Sequence, residues 1–95
     1  MRVLVVDDDA TLRSTLAIGL RAADHEVLIA ADGRTALQAL REDRPDVVVL
    51  DLGLPDLSGI EVLRRLRAWS TTPVVVLSAR AESTEKVEAL DRGAA

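Results

Sequence analysis

Acidic residues and one hydroxyl stand where the apolar segments of this 95-residue chain end. Asp7 and Asp8 follow the segment RVLVV, Asp51 follows DVVVL, and Ser78 ends VVVLS. An all-oxygen group of carboxylates, without histidine or cysteine, suits a hard ion such as Mg²⁺, Mn²⁺ or Ca²⁺. Mg²⁺ takes only one or two carboxylates and keeps several waters, which leaves room for phosphate oxygens. We therefore expect a site in which a metal ion helps to bind or transfer a phosphoryl group.

The elements that would position these residues alternate along the chain. Short apolar runs predict strands at 2–6, 26–30, 46–50 and 74–78. Helical spacing predicts helices around Leu12, Leu16 and Leu20, at 32–43, after Ser58, and at 83–93. This β-α-β-α-β-α-β-α order predicts one α/β domain, a doubly wound parallel sheet with helices on both faces.

Helix-start signals occur at several polar residues. Asp32 is a predicted N-cap, Asp9 a predicted cap of the first helix, and Ser58 with Glu61 has the spacing of a capping box. The third helix would carry Ile60, Leu63 and Leu66.

The sheet order decides whether the acidic residues meet. In the order 2-1-3-4, strands one and three are neighbours, and their ends lie roughly 5 Å apart. Asp7 or Asp8 would then lie beside Asp51. At about 4 Å and an effective dielectric near 20, two such carboxylates repel by about 4 kcal/mol. Uptake of a proton or binding of a cation relieves this repulsion.

Each of these aspartates also has an ordinary structural explanation. Aspartate at a strand end is a common turn or capping residue, and for any one of them alone we would prefer that explanation. For the four residues together we prefer a functional explanation. Independent segments bring them to one edge of the sheet: Asp7, Asp8, Asp51 and Ser78.

The composition excludes several classes of protein. A net charge of −4 disfavours nucleic-acid binding by this domain alone, and no apolar run is long enough to cross a membrane. The N-terminus is too short and too acidic for a signal peptide, so we expect a cytoplasmic protein. We expect His25 on the surface, Trp69 packed on its own helix, and the basic run RRLR (64–67) on a solvated helix face.

Three segments together resemble a known family. VLVVDDD (3–9), VVLDLGLPDLSG (48–59) and VVVLSAR (74–80), in this order, resemble the receiver domain of two-component response regulators, which has a flavodoxin/CheY-like fold. The resemblance covers the whole chain. In finer detail the sequence is similar to KdpE-like regulators of the OmpR/PhoB class.

The resemblance implies a role for each site residue. Asp51 would accept a phosphoryl group from the phosphohistidine of a sensor histidine kinase. Asp8, Asp51 and the backbone carbonyl of Gly53 would bind Mg²⁺, and Asp7 would act through a metal-bound water. Ser78 would hydrogen-bond the phosphoryl group and start a conformational switch that reaches a transcription-regulating output domain.

The family pattern also extends beyond this sequence. It continues with a fifth strand, a lysine that pairs with the phosphoryl group, a fifth helix and, in the OmpR/PhoB class, a DNA-binding domain. Residues 1–95 would then be a receiver domain incomplete at its C-terminus. From this we expect exposed apolar surface near Leu12, Leu16 and Leu20, and a dimer or strand-exchanged oligomer.

Three alternatives remain open at this point. A receiver-like interaction module that is not phosphorylated is favoured by the missing lysine and disfavoured by the intact acidic residues. A Mg²⁺-dependent phosphatase with an aspartate nucleophile would need a general acid two residues after Asp51, where Gly53 stands. A nucleotide-binding flavodoxin-like module would need a glycine-rich or hydroxyl-rich loop after the first strand, and DDDA repels phosphate.

Overall fold

The computed structural model describes residues 1–51 and 53–77. The elements are β1 (Arg2–Val6), α1 (Ala10–Ala22), β2 (Glu26–Ala30), α2 (Gly33–Glu42), β3 (Val47–Asp51), α3 (Gly59–Arg67) and β4 (Val74–Leu77). The predicted helix at 83–93 lies outside the described residues, as does Ser78. Among the described residues, no helix is long and apolar enough to cross a membrane.

The four strands form one parallel sheet in the order β2-β1-β3-β4, which confirms the predicted order. Val6 of β1 pairs with Leu50 of β3, so Asp7 and Asp51 are the next residues on two adjacent strands. The third strand was predicted at 46–50 but includes Asp51, because the ladder with β4 continues until Asp51 pairs with Leu77. Asp51 therefore has a backbone fixed by the sheet.

Strand β1 is buried on both faces of the sheet, as its continuous apolar run predicted, whereas Ile29 of β2 and Val75 of β4 are exposed. On one face Leu4 and Val6 of β1 pack with residues of α2 and α3. On the other face Val3 and Val5 pack with Ala17 of α1. This alternation buries β1 almost completely and makes it the rigid centre from which Asp7 and Asp8 project.

Helix α1 begins as predicted at the cap residue Asp9, whose carboxylate accepts the backbone N–H groups of Thr11 and Leu12. The apolar positions of the helix differ in burial. Leu12 is exposed, whereas Leu16 and Leu20 are half-buried against the sheet.

Helices α2 and α3 also have the predicted caps. Asp32 accepts the N–H of Thr35, and Ser58 Oγ accepts the N–H of Glu61. The capping box is only half made, because the carboxylate of Glu61 accepts hydrogen bonds from Arg64 and Arg65 instead of the Ser58 N–H.

The inner face of α3 differs from the prediction at one position. Ile60 is 60% exposed, and Val62 is buried beside Leu63 and Leu66. The reason is angular, since Ile60 precedes Val62 by two residues and therefore lies on the opposite side of the helix.

The basic run RRLR is not a uniform solvated face. Arg64 and Arg65 are exposed, but Arg67 is half-buried and donates hydrogen bonds to the carbonyl oxygens of Ser70 and Thr72. The Arg67 side chain therefore ties the end of α3 to the segment that enters β4.

The sequence predicts that Trp69 packs against its own helix. It is 44% exposed, and the Arg41 guanidinium of α2 lies over its ring at 5.8 Å from the ring centre. The aromatic side chain thus joins the C-terminal ends of α2 and α3 by a cation–π contact.

Candidate functional site

Three carboxylates meet at the C-terminal edge of the sheet. One carboxylate oxygen from each of Asp7, Asp8 and Asp51 lies within 4.8 Å of the others. The predicted juxtaposition is thus present, because β1 and β3 are adjacent and in register. Asp7 is buried, Asp51 is half-buried and Asp8 is exposed, so the cluster opens to solvent on one side.

Asp7 is the most constrained of the three. Only 4% of it is exposed, its carboxylate accepts the Asp9 N–H at 2.9 Å, and its own N–H donates to the Ala30 carbonyl. Burial raises the pKa of Asp7, and the charges of Asp51 and Asp8 raise it further, while the Asp9 N–H opposes both effects. The folded chain therefore confines negative charge that a cation would stabilise.

Arg13 also contacts this region, which the sequence did not reveal. Its Nη1 donates to the backbone carbonyl of Asp7 at 2.8 Å. The only signal was its position one turn after the cap residue Asp9, which points its side chain back towards the start of α1. Arg13 fixes the backbone of Asp7 and leaves the Asp7 carboxylate to the acidic cluster.

Gly53 lies close to the acidic cluster. A Cβ atom added at Gly53 would lie 3.9 Å from Asp51 Oδ2, and the residue is exposed. The backbone of Gly53 therefore runs beside the carboxylate of Asp51, and a small side chain would be in contact with it. The use of the Gly53 carbonyl as a metal ligand stays a prediction.

Asp56 is a second residue that sequence reasoning missed. Its Oδ1 accepts the Gly33 N–H at 2.8 Å and the Leu57 N–H at 2.7 Å, and its Oδ2 accepts the Arg34 N–H at 3.1 Å. Partial desolvation alone would raise the pKa of Asp56, but these backbone hydrogen bonds together lower it. No local pattern marks this residue, because its partners in α2 are distant in sequence.

The remaining predicted residues are placed as follows. His25 is half-buried at the opposite, N-terminal edge of the sheet, with its Nδ1 3.3 Å from the amino group of Met1. Ser78 lies outside the described residues, so its place at the site stays a prediction.

The donor set fits a hard divalent cation. Its candidate ligands are carboxylate oxygens that lie at the ends of two neighbouring strands and repel one another without a counter-charge. Exposure of Asp8 gives an ion and its waters access from solvent. The residues present therefore agree with Mg²⁺.

A family comparison agrees with this geometry. The family described as "Response regulator receiver domain" matches residues 3–95 of the chain. Among curated proteins, the chain is 54% identical over 92 residues to "Transcriptional regulatory protein KdpE" of Mycobacterium tuberculosis. It is 47% identical over 93 residues to "DNA-binding response regulator MtrA" of Mycolicibacterium smegmatis. These matches cover 97% and 98% of the chain but only 41% of each relative.

Solved structures give the same result. The receiver domain of the Francisella response regulator 1452 is 34% identical, with a TM-score of 0.85 over 97% of this chain and 77% of that one. The BeF3-activated receiver domain of Klebsiella pneumoniae RstA is 27% identical, with a TM-score of 0.88 over 98% and 80% of the two chains. The chain belongs to the response regulator receiver domain family and is of the KdpE and MtrA type within the OmpR/PhoB class.

Proposed function

We propose that Asp51 is the phosphoacceptor of this receiver domain and takes its phosphoryl group from a sensor histidine kinase. The observation that carries the proposal is the approach of Asp7, Asp8 and Asp51 to within 4.8 Å at one sheet edge. Asp51 is the member of this cluster that ends the central strand β3, which is hydrogen-bonded on both sides by β1 and β4. This backbone restraint holds the nucleophile in one place.

In the proposed reaction a carboxylate oxygen of Asp51 attacks the phosphorus atom of phosphohistidine. An O–P bond forms, the N–P bond breaks, and the imidazole nitrogen keeps the electron pair of that bond. The product is an acyl phosphate on Asp51. Half-burial of Asp51 supports this role, since the carboxylate is shielded by the sheet yet can be reached from solvent.

Asp8, Asp51 and the Gly53 backbone carbonyl would hold Mg²⁺, and Asp7 would act through a water. When bound, the ion supplies the positive charge that offsets both the carboxylates and the incoming phosphoryl group. Asp7 contributes buried negative charge held in place by the Asp9 N–H. Arg13 holds the Asp7 backbone, which keeps the carboxylate turned towards its neighbours.

Ser78 would hydrogen-bond the new phosphoryl oxygens and begin the switch. This role comes from the family resemblance. Strand β4 supports this role, because Leu77, the residue before Ser78, pairs with Asp51. A hydroxyl that moves to meet the phosphoryl group can change the equilibrium between two arrangements of the following segment.

The output is proposed from the relatives. The chain spans about two-fifths of the length of the curated relatives it matches, which are named a transcriptional regulatory protein and a DNA-binding response regulator. We therefore propose that phosphorylation of this domain regulates transcription through a separate DNA-binding domain in the cytoplasm.

Incubation of the protein with acetyl phosphate and Mg²⁺, followed by intact mass measurement, tests the proposal. One added phosphate is expected on the wild type and on Asp24→Asn, a matched control at an exposed turn far from the cluster. Asp51→Asn should show none. An adduct on Asp51→Asn would contradict the assignment, and its absence from the wild type would favour a module that is not phosphorylated.

A further inference from the structure

The loop between β3 and α3, here called the β3–α3 loop (residues 53–58), is hydrogen-bonded to helix α2 through the side chain of Asp56. Asp56 accepts the backbone N–H groups of both Gly33 and Arg34, the first two residues of α2. The Nε of Arg34 lies 3.9 Å from the same carboxylate. Within the described residues, the side-chain hydrogen bonds that join this loop to α2 all end on Asp56.

The two ends of the β3–α3 loop have different tasks. At its end, Ser58 caps α3, and Leu57 packs against the core. At its start, Gly53 is exposed and has no side chain, yet its backbone must stay beside Asp51 Oδ2. The position of Gly53 therefore depends on anchors elsewhere in the loop.

Asp56 provides a directional anchor that apolar packing does not. Its two oxygens accept three N–H groups at 2.7 to 3.1 Å, and these hydrogen bonds lower the pKa of Asp56. Charge-assisted hydrogen bonds of this kind are roughly twice as strong as neutral ones, and they fix orientation as well as distance. Leu54 and Leu57 pack against the core and hold the loop close to it. The hydrogen bonds of Asp56 fix the position of the loop along α2.

We infer that Asp56 is a positioning residue whose carboxylate, by holding the β3–α3 loop against α2, fixes the Gly53 backbone beside Asp51 for Mg²⁺ binding and phosphorylation. This inference rests on the proposed function. Residues that orient a metal ligand typically change metal affinity or activity 10- to 100-fold when they are replaced.

The chain offers a matched control at Asp32. Its carboxylate caps the same helix through the Thr35 N–H at 2.8 Å, and no hydrogen bond joins it to the described residues of the loop. Asp32→Ala therefore removes a capping carboxylate from α2 without releasing the β3–α3 loop. Asp56→Asn is a milder variant, because its single carbonyl oxygen can still accept part of the hydrogen bonds.

The test measures the Mg²⁺ dissociation constant of the unphosphorylated protein by calorimetry, and the rate of phosphorylation by acetyl phosphate at saturating Mg²⁺. Asp56→Ala should raise the dissociation constant about tenfold or more and lower the rate by a similar factor. Asp56→Asn should fall between Asp56→Ala and the wild type. Asp32→Ala should lower only the thermal stability.

Two results would separate the inference from the proposed function. If phosphate still maps to Asp51 and both Asp56 variants bind Mg²⁺ as tightly as Asp32→Ala, Asp56 has only a structural role and the inference is overturned. If the Asp56 variants weaken Mg²⁺ binding but the wild type forms no adduct at Asp51, the positioning of Gly53 is supported and the phosphoacceptor proposal fails. Asp56→Asn keeps the test usable if Asp56→Ala does not fold.

Discussion

Leu57 leaves no room for a side chain at Gly33. A Cβ atom added at Gly33 would lie 2.8 Å from the Cβ of Leu57 and 3.0 Å from Cγ2 of Val62. The first turn of α2 and the β3–α3 loop are therefore in direct contact, and the absence of a side chain at Gly33 is a packing requirement. The same contact brings the Gly33 N–H within reach of Asp56.

Gly33→Ala should destabilise the protein by about 1–3 kcal/mol, because the added methyl group overlaps a Cβ atom that moves only with its backbone. The matched control is Gly19→Ala in α1, where nothing lies within 4 Å of an added Cβ. That substitution should stabilise by about 0.5–1 kcal/mol through helix propensity. Urea unfolding measures both, and equal effects would contradict the packing argument.

Arg67→Ala should cost about 1–3 kcal/mol, because it removes two hydrogen bonds from partly buried carbonyl oxygens of Ser70 and Thr72. Arg67→Lys should recover little of this loss, since an ammonium group lacks the planar arrangement of donors. Arg64→Ala in the same helix is the control. It should cost no more than about 0.5 kcal/mol, because its salt bridge to Glu61 is exposed. Thermal unfolding that ranks Arg64 above Arg67 would refute this distinction.

The stability contributed by Asp56 should depend on pH. Its folded-state pKa is lowered from the ordinary value of 3.8, so the contribution is present above that value and is lost as the pH falls through the folded pKa. The difference in unfolding free energy between the wild type and Asp56→Asn should therefore be constant near pH 7 and shrink as the pH falls below the ordinary value. Urea unfolding at a series of pH values checks this, and a difference that grows with acidity would contradict it.

Mg²⁺ should stabilise the wild type against thermal unfolding, because the proposed site consists of carboxylates that only the folded chain brings together. At a concentration 100 times the dissociation constant, the gain is about 2.7 kcal/mol. Asp8→Asn should abolish most of the gain, whereas Asp24→Asn should keep it. A shift of equal size in Asp8→Asn would exclude the acidic cluster as the binding site.

The regular alternation of strands and helices predicted the parallel sheet, and the doubly wound order of the resembled CheY-like fold predicted the acidic cluster. Short apolar runs that alternate with helices require a parallel sheet, and the order 2-1-3-4 then brings Asp7 and Asp8 next to Asp51. The caps Asp9, Asp32 and Ser58 were also predictable, since capping depends on neighbouring residues alone.

The contacts that were missed lack such a local pattern. The hydrogen bonds of Asp56 join it to backbone groups of an element distant in sequence, and those of Arg13 depend on where its side chain turns. Arg67 looked like its exposed neighbours because a basic run does not show which member folds back onto the chain. The apolar side chain of Ile60 suggested a buried position. Ile60 is nevertheless exposed, because it lies on the opposite side of the helix from the buried Val62.

Residue-level mapping of the phosphorylated aspartate shows whether Asp51 is the phosphoacceptor. After incubation with acetyl phosphate and Mg²⁺, borohydride reduces an aspartyl phosphate to homoserine, and tandem mass spectrometry locates it. Homoserine is expected at position 51, and at neither position 7 nor position 8. Homoserine at another aspartate, with position 51 unmodified, would show that Asp51 is not the phosphoacceptor.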